Sequence, residues 1–256
     1  MKLRKGERQA RILATLELNP SLRVNQLAED FGVTTETIRR DLAELAEAGR
    51  ISRTYGGAFS AATRFEPALH DRMILQVEER QAIARAAAER LASHDALLLG
   101  GGATMQHFAR ALRDVQHRLF ILTPAYLIAQ ELSQNPRIQV TMLPGNFNGQ
   151  EHMVVGHETI VAIERFRAPI AVIGASGLSA SGVSEAMPDI GEVYAAMLRS
   201  SDRGVVLADH GKFDKRAMVQ LTPWTADLTL ITDRPVSSAL ETALQEAATE
   251  LILAPR

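Results

Sequence analysis

Along the first fifty residues, apolar positions recur at intervals of three and four and then break off at turn-forming residues. From Glu7, the set Ala10, Ile12, Leu13, Leu16 and Leu18 carries such a stripe and predicts a helix. Asn19-Pro20-Ser21 ends it, because proline has no N–H to donate and Asn and Ser favour turns. Val24, Leu27, Ala28 and Phe31 predict a short second helix, and Gly32 suits the left-handed position that closes one. Thr34 can cap a third helix through its hydroxyl, with Ile38, Leu42, Leu45 and Ala46 facing inward and Gly49 closing it. Residues 51–58 then alternate and turn on Gly56-Gly57, the pattern of a two-stranded wing.

Beyond residue 77 the pattern changes. Short, continuously apolar runs at 96–99, 119–122, 138–143, 170–173, 205–207, 228–231 and 251–253 are separated by helical stripes such as Ile83, Ala87 and Leu91. Runs of that kind predict buried parallel strands in a βαβ sheet, with helices on both faces. The fold class expected is α/β: a small winged helix-turn-helix over 1–58, a connector over 59–77 and a larger parallel α/β domain over 78–256. In the connector, His70-Asp71-Arg72 reads as packing with a local ion pair.

Composition adds little to the fold and something to the partner. A 46% hydrophobic and 23% charged chain is ordinary globular protein, and the absence of cysteine excludes a disulfide framework and any thiolate metal site. With no long apolar run and no secretory signal, no membrane partner and a cytoplasmic location are expected. The net charge of −2 conceals an asymmetry: Met1–Arg64 holds 11 Lys/Arg against 8 Asp/Glu, the remainder 17 against 22. A basic head on an acidic body suits a front end that meets a polyanion.

The third helix sharpens that expectation. With Ile38 and Leu42 inward, Thr35, Glu36, Arg39 and Arg40 fall on or beside the outward face, since successive side chains are about 100° apart. The N-terminal end of a recognition helix enters the major groove, where hydroxyls reach thymine methyls or phosphates and arginine takes guanine bidentately. Thr34, Thr35, Glu36, Thr37, Arg39 and Arg40, with Arg53 and Tyr55 on the wing, are therefore the candidate contacts to double-stranded operator DNA.

In the larger domain, candidates gather at the carboxyl ends of strands, where ligands of such sheets collect. They are Gly101, Gly102, Ala103 and Thr104 in a glycine-rich loop running into a helix, then Thr123, Gly145, Asp209 and Lys212. Backbone N–H groups at a helix start, a hydroxyl and a lysine suit an anion, so the expected effector is a phosphorylated small molecule.

The run T-x-x-T-I-R-R-D-L-x-x-L-x-x-x-G, followed by a short strand and Gly-Gly-Ala, resembles the N-terminal signature of the DeoR family of bacterial sugar-metabolism repressors. Thr34, Thr37, Ile38, Arg39, Arg40, Asp41, Leu42, Leu45, Gly49, Arg53, Gly56, Gly57 and Ala58 match it, and the similarity, closest to the glycerol-3-phosphate repressor branch, continues through most of the chain. The resemblance implies a sensor domain similar to the ribose-5-phosphate isomerase fold, a sugar-phosphate effector, and a homodimer or homotetramer on DNA. It makes Asp41 a structural partner of an arginine. The chain departs from the family's pattern at Gly100, Ala103, Pro124, Pro144 and Gly211, where Asp, Ser/Thr, Asn, Gly and Ser are usual, and at Tyr194, where a basic residue is frequent. Each departure lies in a pocket loop, which implies a site retuned to another ligand or one that has lost sensing.

Two further chemistries are set aside. An isomerase-like enzyme needs a carboxylate base; Asp209 offers one, Gly100 removes the other obvious candidate, and Glu185 and Asp189 read as loop residues. His152 and His157, flanked by Glu151 and Glu158, lack a repeated ligand spacing and read as loop and cap residues, while His107 and His117 read as helix-surface or loop positions. No catalytic residue, metal or cofactor is expected. The function expected is that of a carbohydrate or polyol operon repressor; the alternatives are a sugar-phosphate isomerase-like enzyme or a DNA-binding protein blind to effector.

Overall fold

The structure, a computed structural model, describes residues 5–18, 24–47, 51–54, 57–60 and 69–255; Tyr55, Gly56, and the side chains of Arg53 and Ala46 lie outside that description. The chain divides into two compact units, Met1–Glu66 and Pro67–Arg256.

The first unit holds α1 (Lys5–Leu18), α2 (Val24–Phe31), α3 (Thr35–Glu47) and the antiparallel pair β1 (Ile51–Thr54) and β2 (Gly57–Ser60). Residues from each apolar stripe meet in its core: Ile12 of α1, Leu27 and Ala28 of α2, and Ile38, Leu42 and Leu45 of α3. The turn between α2 and α3 explains why Gly32 stands there. Its φ of 60° is left-handed, and the N–H groups of Gly32 and Val33 return to the carbonyls of Glu29 and Ala28, a Schellman closure. Arg8 on α1 grips Asp41 on α3 through Nε–Oδ2 at 2.5 Å and Nη2–Oδ1 at 3.1 Å, so the arginine expected for Asp41 comes from a different helix.

The second unit opens with α4 (Leu69–Arg72) and α5 (Val77–Leu91). It continues through β3 (Ala96–Leu99), α6 (Ala103–Leu112), β4 (Leu119–Thr123), α7 (Tyr126–Leu132) and β5 (Ile138–Met142). A hairpin of β6 (Asn146–Asn148) and β7 (Met153–Val155) leads to α8 (His157–Glu164) and β8 (Ala168–Ile173). Then come β9 (Gly177–Ser179), β10 (Gly182–Glu185), α9 (Pro188–Arg199), β11 (Ser201–Leu207), a 3-10 turn (His210–Lys212) and β12 (Val219–Thr222). The chain closes with β13 (Leu228–Thr232), α10 (Ser238–Glu246) and β14 (Glu250–Leu253).

Seven of these strands form one parallel sheet in the order β14-β13-β11-β8-β3-β4-β5, and all seven are those expected from the apolar runs. The path from β3 runs outward through β4 to β5, then returns to the other side of β3 at β8. Strand direction of travel thus reverses between β3 and β8, and a crevice opens at the carboxyl ends of strands on either side of such a switch. Two features were not anticipated: the β6–β7 hairpin and a three-stranded antiparallel sheet in the order β12-β10-β9.

Other positions differ from expectation. Phe59 and Ser60, read as connector, belong to β2, and residues 69–77 belong to the second unit. Arg72 forms an ion pair with Glu151, 79 positions away, a long-range partner that was not anticipated. Glu185 ends β10 and Asp189 lies in α9, so neither is a loop residue. His107, read as a helix-surface or loop position, is on α6 and only 6% exposed, because that helix is covered on nearly all sides, with every residue from Ala103 to Ala109 buried.

Candidate functional site

In the first unit the face of α3 opposite Ile38 and Leu42 is open. Glu36, Arg39 and Arg40 are exposed and Thr35 is half-buried, as is Thr37. Arg39 approaches Glu36 only at 3.5 Å, a loose contact between exposed groups that leaves the guanidinium available. Thr34 and Thr37 have a second task. The Thr34 hydroxyl accepts the Thr37 N–H at 3.3 Å and lies 2.9 Å from the Thr37 hydroxyl, which makes Thr34 the N-cap. Glu36 sits in the first turn, where a carboxylate favours the helix dipole. The face therefore combines Thr35, Arg39 and Arg40 on a helix whose start is fixed by its own hydroxyls.

In the second unit the loop after β3 builds the crevice. Gly102 has φ 103°, closed to ordinary side chains, and starts α6; the Gln106 N–H returns to its carbonyl. Ala103, Thr104 and Met105 thus form the first turn of a ten-residue helix, whose N–H groups have no earlier turn to bond. Arg72 comes within 3.9 Å of where a Gly102 side chain would stand. From there the contacts run in series: Arg72 pairs with Glu151 and its carbonyl accepts from Arg80, and Arg80 Nε donates to Asp209 Oδ2 at 3.1 Å. Asp209, 2% exposed, also accepts the Gly211 N–H at 3.0 Å on Oδ1, so one oxygen shapes the turn that carries Lys212 while the other holds Arg80. Lys212 itself is half-buried on that turn, two strands from β3 across the sheet.

Tyr194, on α9, stands over the loop. Its hydroxyl accepts the Gly101 N–H at 3.1 Å and donates to the Gly101 carbonyl at 3.0 Å. Its ring lies 2.9 Å from where a Gly100 side chain would begin, so that position must be glycine while the ring is there. Burial, with the Glu185 and Glu151 carboxylates, pushes the phenol far above its ordinary range and keeps it a neutral donor. Beside Gly101 lie Ala125 and the Met153 sulfur.

The other expected contacts belong to the frame. Thr123 is fully buried; its hydroxyl donates to the Leu99 carbonyl at 2.7 Å and accepts the Ala125 N–H at 3.1 Å, pinning the ends of β3 and β4 together. Gly145, with φ 147°, leaves no room for a side chain against Thr159 Oγ1 and the Val155 carbonyl. Gly101, Gly102, Ala103 and Thr104 are thus consecutive on one loop and helix start, and Asp209 is linked to them through Arg80 and Arg72, while Lys212 lies on the turn that Asp209 begins. Among the described residues, Glu79, His210 and Asp233 converge closely enough to surround a cation, but Arg234 already lies against both carboxylates.

A DeoR-like helix-turn-helix domain matches residues 8–64, and the DeoR C-terminal sensor domain matches residues 75–234. The chain belongs to the DeoR family. This DeoR regulator is 30% identical to the HTH-type transcriptional repressor CsqR of Escherichia coli, over 91% of this chain and 89% of that one. It is 29% identical to the glycerol-3-phosphate regulon repressor of Escherichia coli, over 91% and 92%. Among solved structures, ribose 5-phosphate isomerase A from Neisseria gonorrhoeae aligns with 54% of the chain and 53% of its own at 15% identity, with a TM-score of 0.37.

The DeoR chain is thus a DNA-binding transcriptional regulator built from a winged helix-turn-helix and a parallel α/β sensor domain. Residues that sequence reading missed in the crevice are Arg72, Gln76, Arg80 and Glu151. Arg80 left a legible trace: it interrupts a helix whose neighbours Ala82, Ile83 and Ala84 are buried, and a buried arginine demands a carboxylate. Gln76, with φ 50° and its amide against Gly211, left none.

Proposed function

We propose that this regulator represses a carbohydrate or polyol catabolic operon, binding a palindromic operator as a homodimer or homotetramer and releasing it when a phosphorylated small molecule enters the crevice at α6. The observation that carries the DNA half is the open Thr35-Arg39-Arg40 face on a capped helix inside a DeoR-like helix-turn-helix domain. Thr35, Arg39 and Arg40 reach bases and phosphates in the major groove, Glu36 stands beside them, Thr34 and Thr37 hold the helix start, and Arg53 and Tyr55 follow the backbone from the wing.

For the effector half, the support is the first turn of α6. The first-turn amides of α6, which have no intrahelical acceptor, the Thr104 hydroxyl and the nearby Arg72 guanidinium form a setting for an anion, with Lys212 supplying charge from the turn after β11. Gly101, Gly102 and Ala103 shape that cradle, while Thr123, Gly145 and Asp209 hold its walls. The effector releases DNA because it binds one arrangement of the molecule more tightly than the other. No catalysis enters this reading, since the Asp209 carboxylate is tied to Arg80 and Gly211. The test is Lys212→Ala, followed by operator-binding anisotropy with and without added sugar phosphates. Operator affinity is retained and the effector response lost; a variant that responds like the parent removes Lys212 from the effector.

A further inference from the structure

Resting on the reading of the α6 crevice as the effector site, we infer that Tyr194 is its length gauge: its ring fills the inner crevice and admits only compact anions, a phosphate on a short chain, in place of a ring-sized sugar phosphate. The hydroxyl of Tyr194 does to Gly101 what a ligand hydroxyl does at such a loop: it takes the N–H at 3.1 Å and gives a proton to the carbonyl at 3.0 Å. Above Gly100 lies a six-membered ring, flat against a backbone that has no Cβ, at 2.9 Å from the place one would occupy. The space over Gly100 is therefore taken by the protein's own side chain and is closed to any ligand while the ring is there.

The surroundings agree. Ala125 and Met153 close the far side of Gly101, each 3.3 Å from the missing Cβ. Glu185, buried at the end of β10, acts electrostatically on the phenol, so an anionic head is disfavoured beside the Tyr194 hydroxyl. It is favoured at the outer end, at the first turn of α6 beside Arg72. With its head fixed outside and the inner volume taken, the ligand has room for only a short tail.

The experiment is calorimetric titration of the full chain with inorganic phosphate, glycerol 3-phosphate and glucose 6-phosphate, in the parent, Tyr194→Ala and Tyr194→Phe. The parent and Tyr194→Phe, which keeps the ring, favour the three-carbon phosphate over the hexose phosphate by about tenfold or more. Tyr194→Ala loses or inverts that preference. Tyr194→Leu is measured beside it, so that a misfolded alanine variant does not decide the outcome. Equal preference in the parent and the ring-less variants overturns the inference and leaves the crevice reading standing. If none of the three probes binds any of the proteins, the crevice reading itself fails. A ligand-free check is the melting temperature of Gly100→Ala, which falls in the parent and not in the Tyr194→Ala background; equal losses in both place the ring elsewhere and overturn the inference.

Discussion

His107 lies inside α6 with no hydrogen-bond partner for Nε2 among the described residues. Burial first, and then the Arg110 and Arg80 charges, hold its pKa below the ordinary 6.5. A depressed folded value means that, as pH falls, the unfolded chain takes up the proton before the folded chain does. The stability that depends on neutral His107 is therefore complete above about pH 6.5 and declines from there toward the lower folded value. His107→Leu should flatten the dependence of melting temperature on pH over that acidic window; a profile parallel to the parent's would show that this imidazole does not titrate on unfolding. The burial of α6 on nearly all sides accounts for the mistaken surface assignment. A lone histidine between Gln106 and Phe108 carries no sign of which way it faces, because apolar and polar residues occupy nearly all sides of a helix buried between neighbours.

Elements with a clean period were legible in the sequence, and those without one were not. Ile38, Leu42 and Leu45 fixed the inward side of α3, and the seven apolar runs gave the seven parallel strands because strands covered on both faces are apolar throughout. The hairpin β6–β7 and the sheet β12-β10-β9 are three- and four-residue strands with polar and glycine positions, such as Asn146, Asn148 and Gly182, too short for alternation to register. Long-range pairs were equally hidden: nothing near Arg72 in sequence names Glu151, and nothing near Arg8 names Asp41. The Arg8–Asp41 fork ties α1 to α3, with Asp41 2% exposed. Asp41→Ala should destabilise the N-terminal unit by about 3 kcal/mol, the usual loss when one half of a buried pair is removed. In a double-mutant cycle with Arg8→Ala the two losses should fall well short of adding, and simple additivity in thermal melts would mean that the fork does not act as a unit.

At the scale of the whole molecule, the two units answer two different chemical demands. The basic head offers an open cationic face on α3, and the body offers the glycine-rich loop after β3 that runs into α6. That the head meets DNA was legible because the motif from Thr34 to Ala58 is local in sequence; the crevice assembles from β3, α4, α5, α9 and the turn after β11, so its lining was only partly so. No described helix is long and apolar enough to cross a membrane. The central claim, that the Thr35-Arg39-Arg40 face enters the major groove, is tested most directly by fluorescence anisotropy of duplex DNA taken from upstream of the regulated genes, titrated with the parent and with Arg39→Ala at several salt concentrations. The parent should bind with an affinity that falls steeply with salt, and Arg39→Ala should bind more weakly by about 1–3 kcal/mol with an unchanged melting temperature. Equal affinity and equal salt dependence in the two proteins would contradict it.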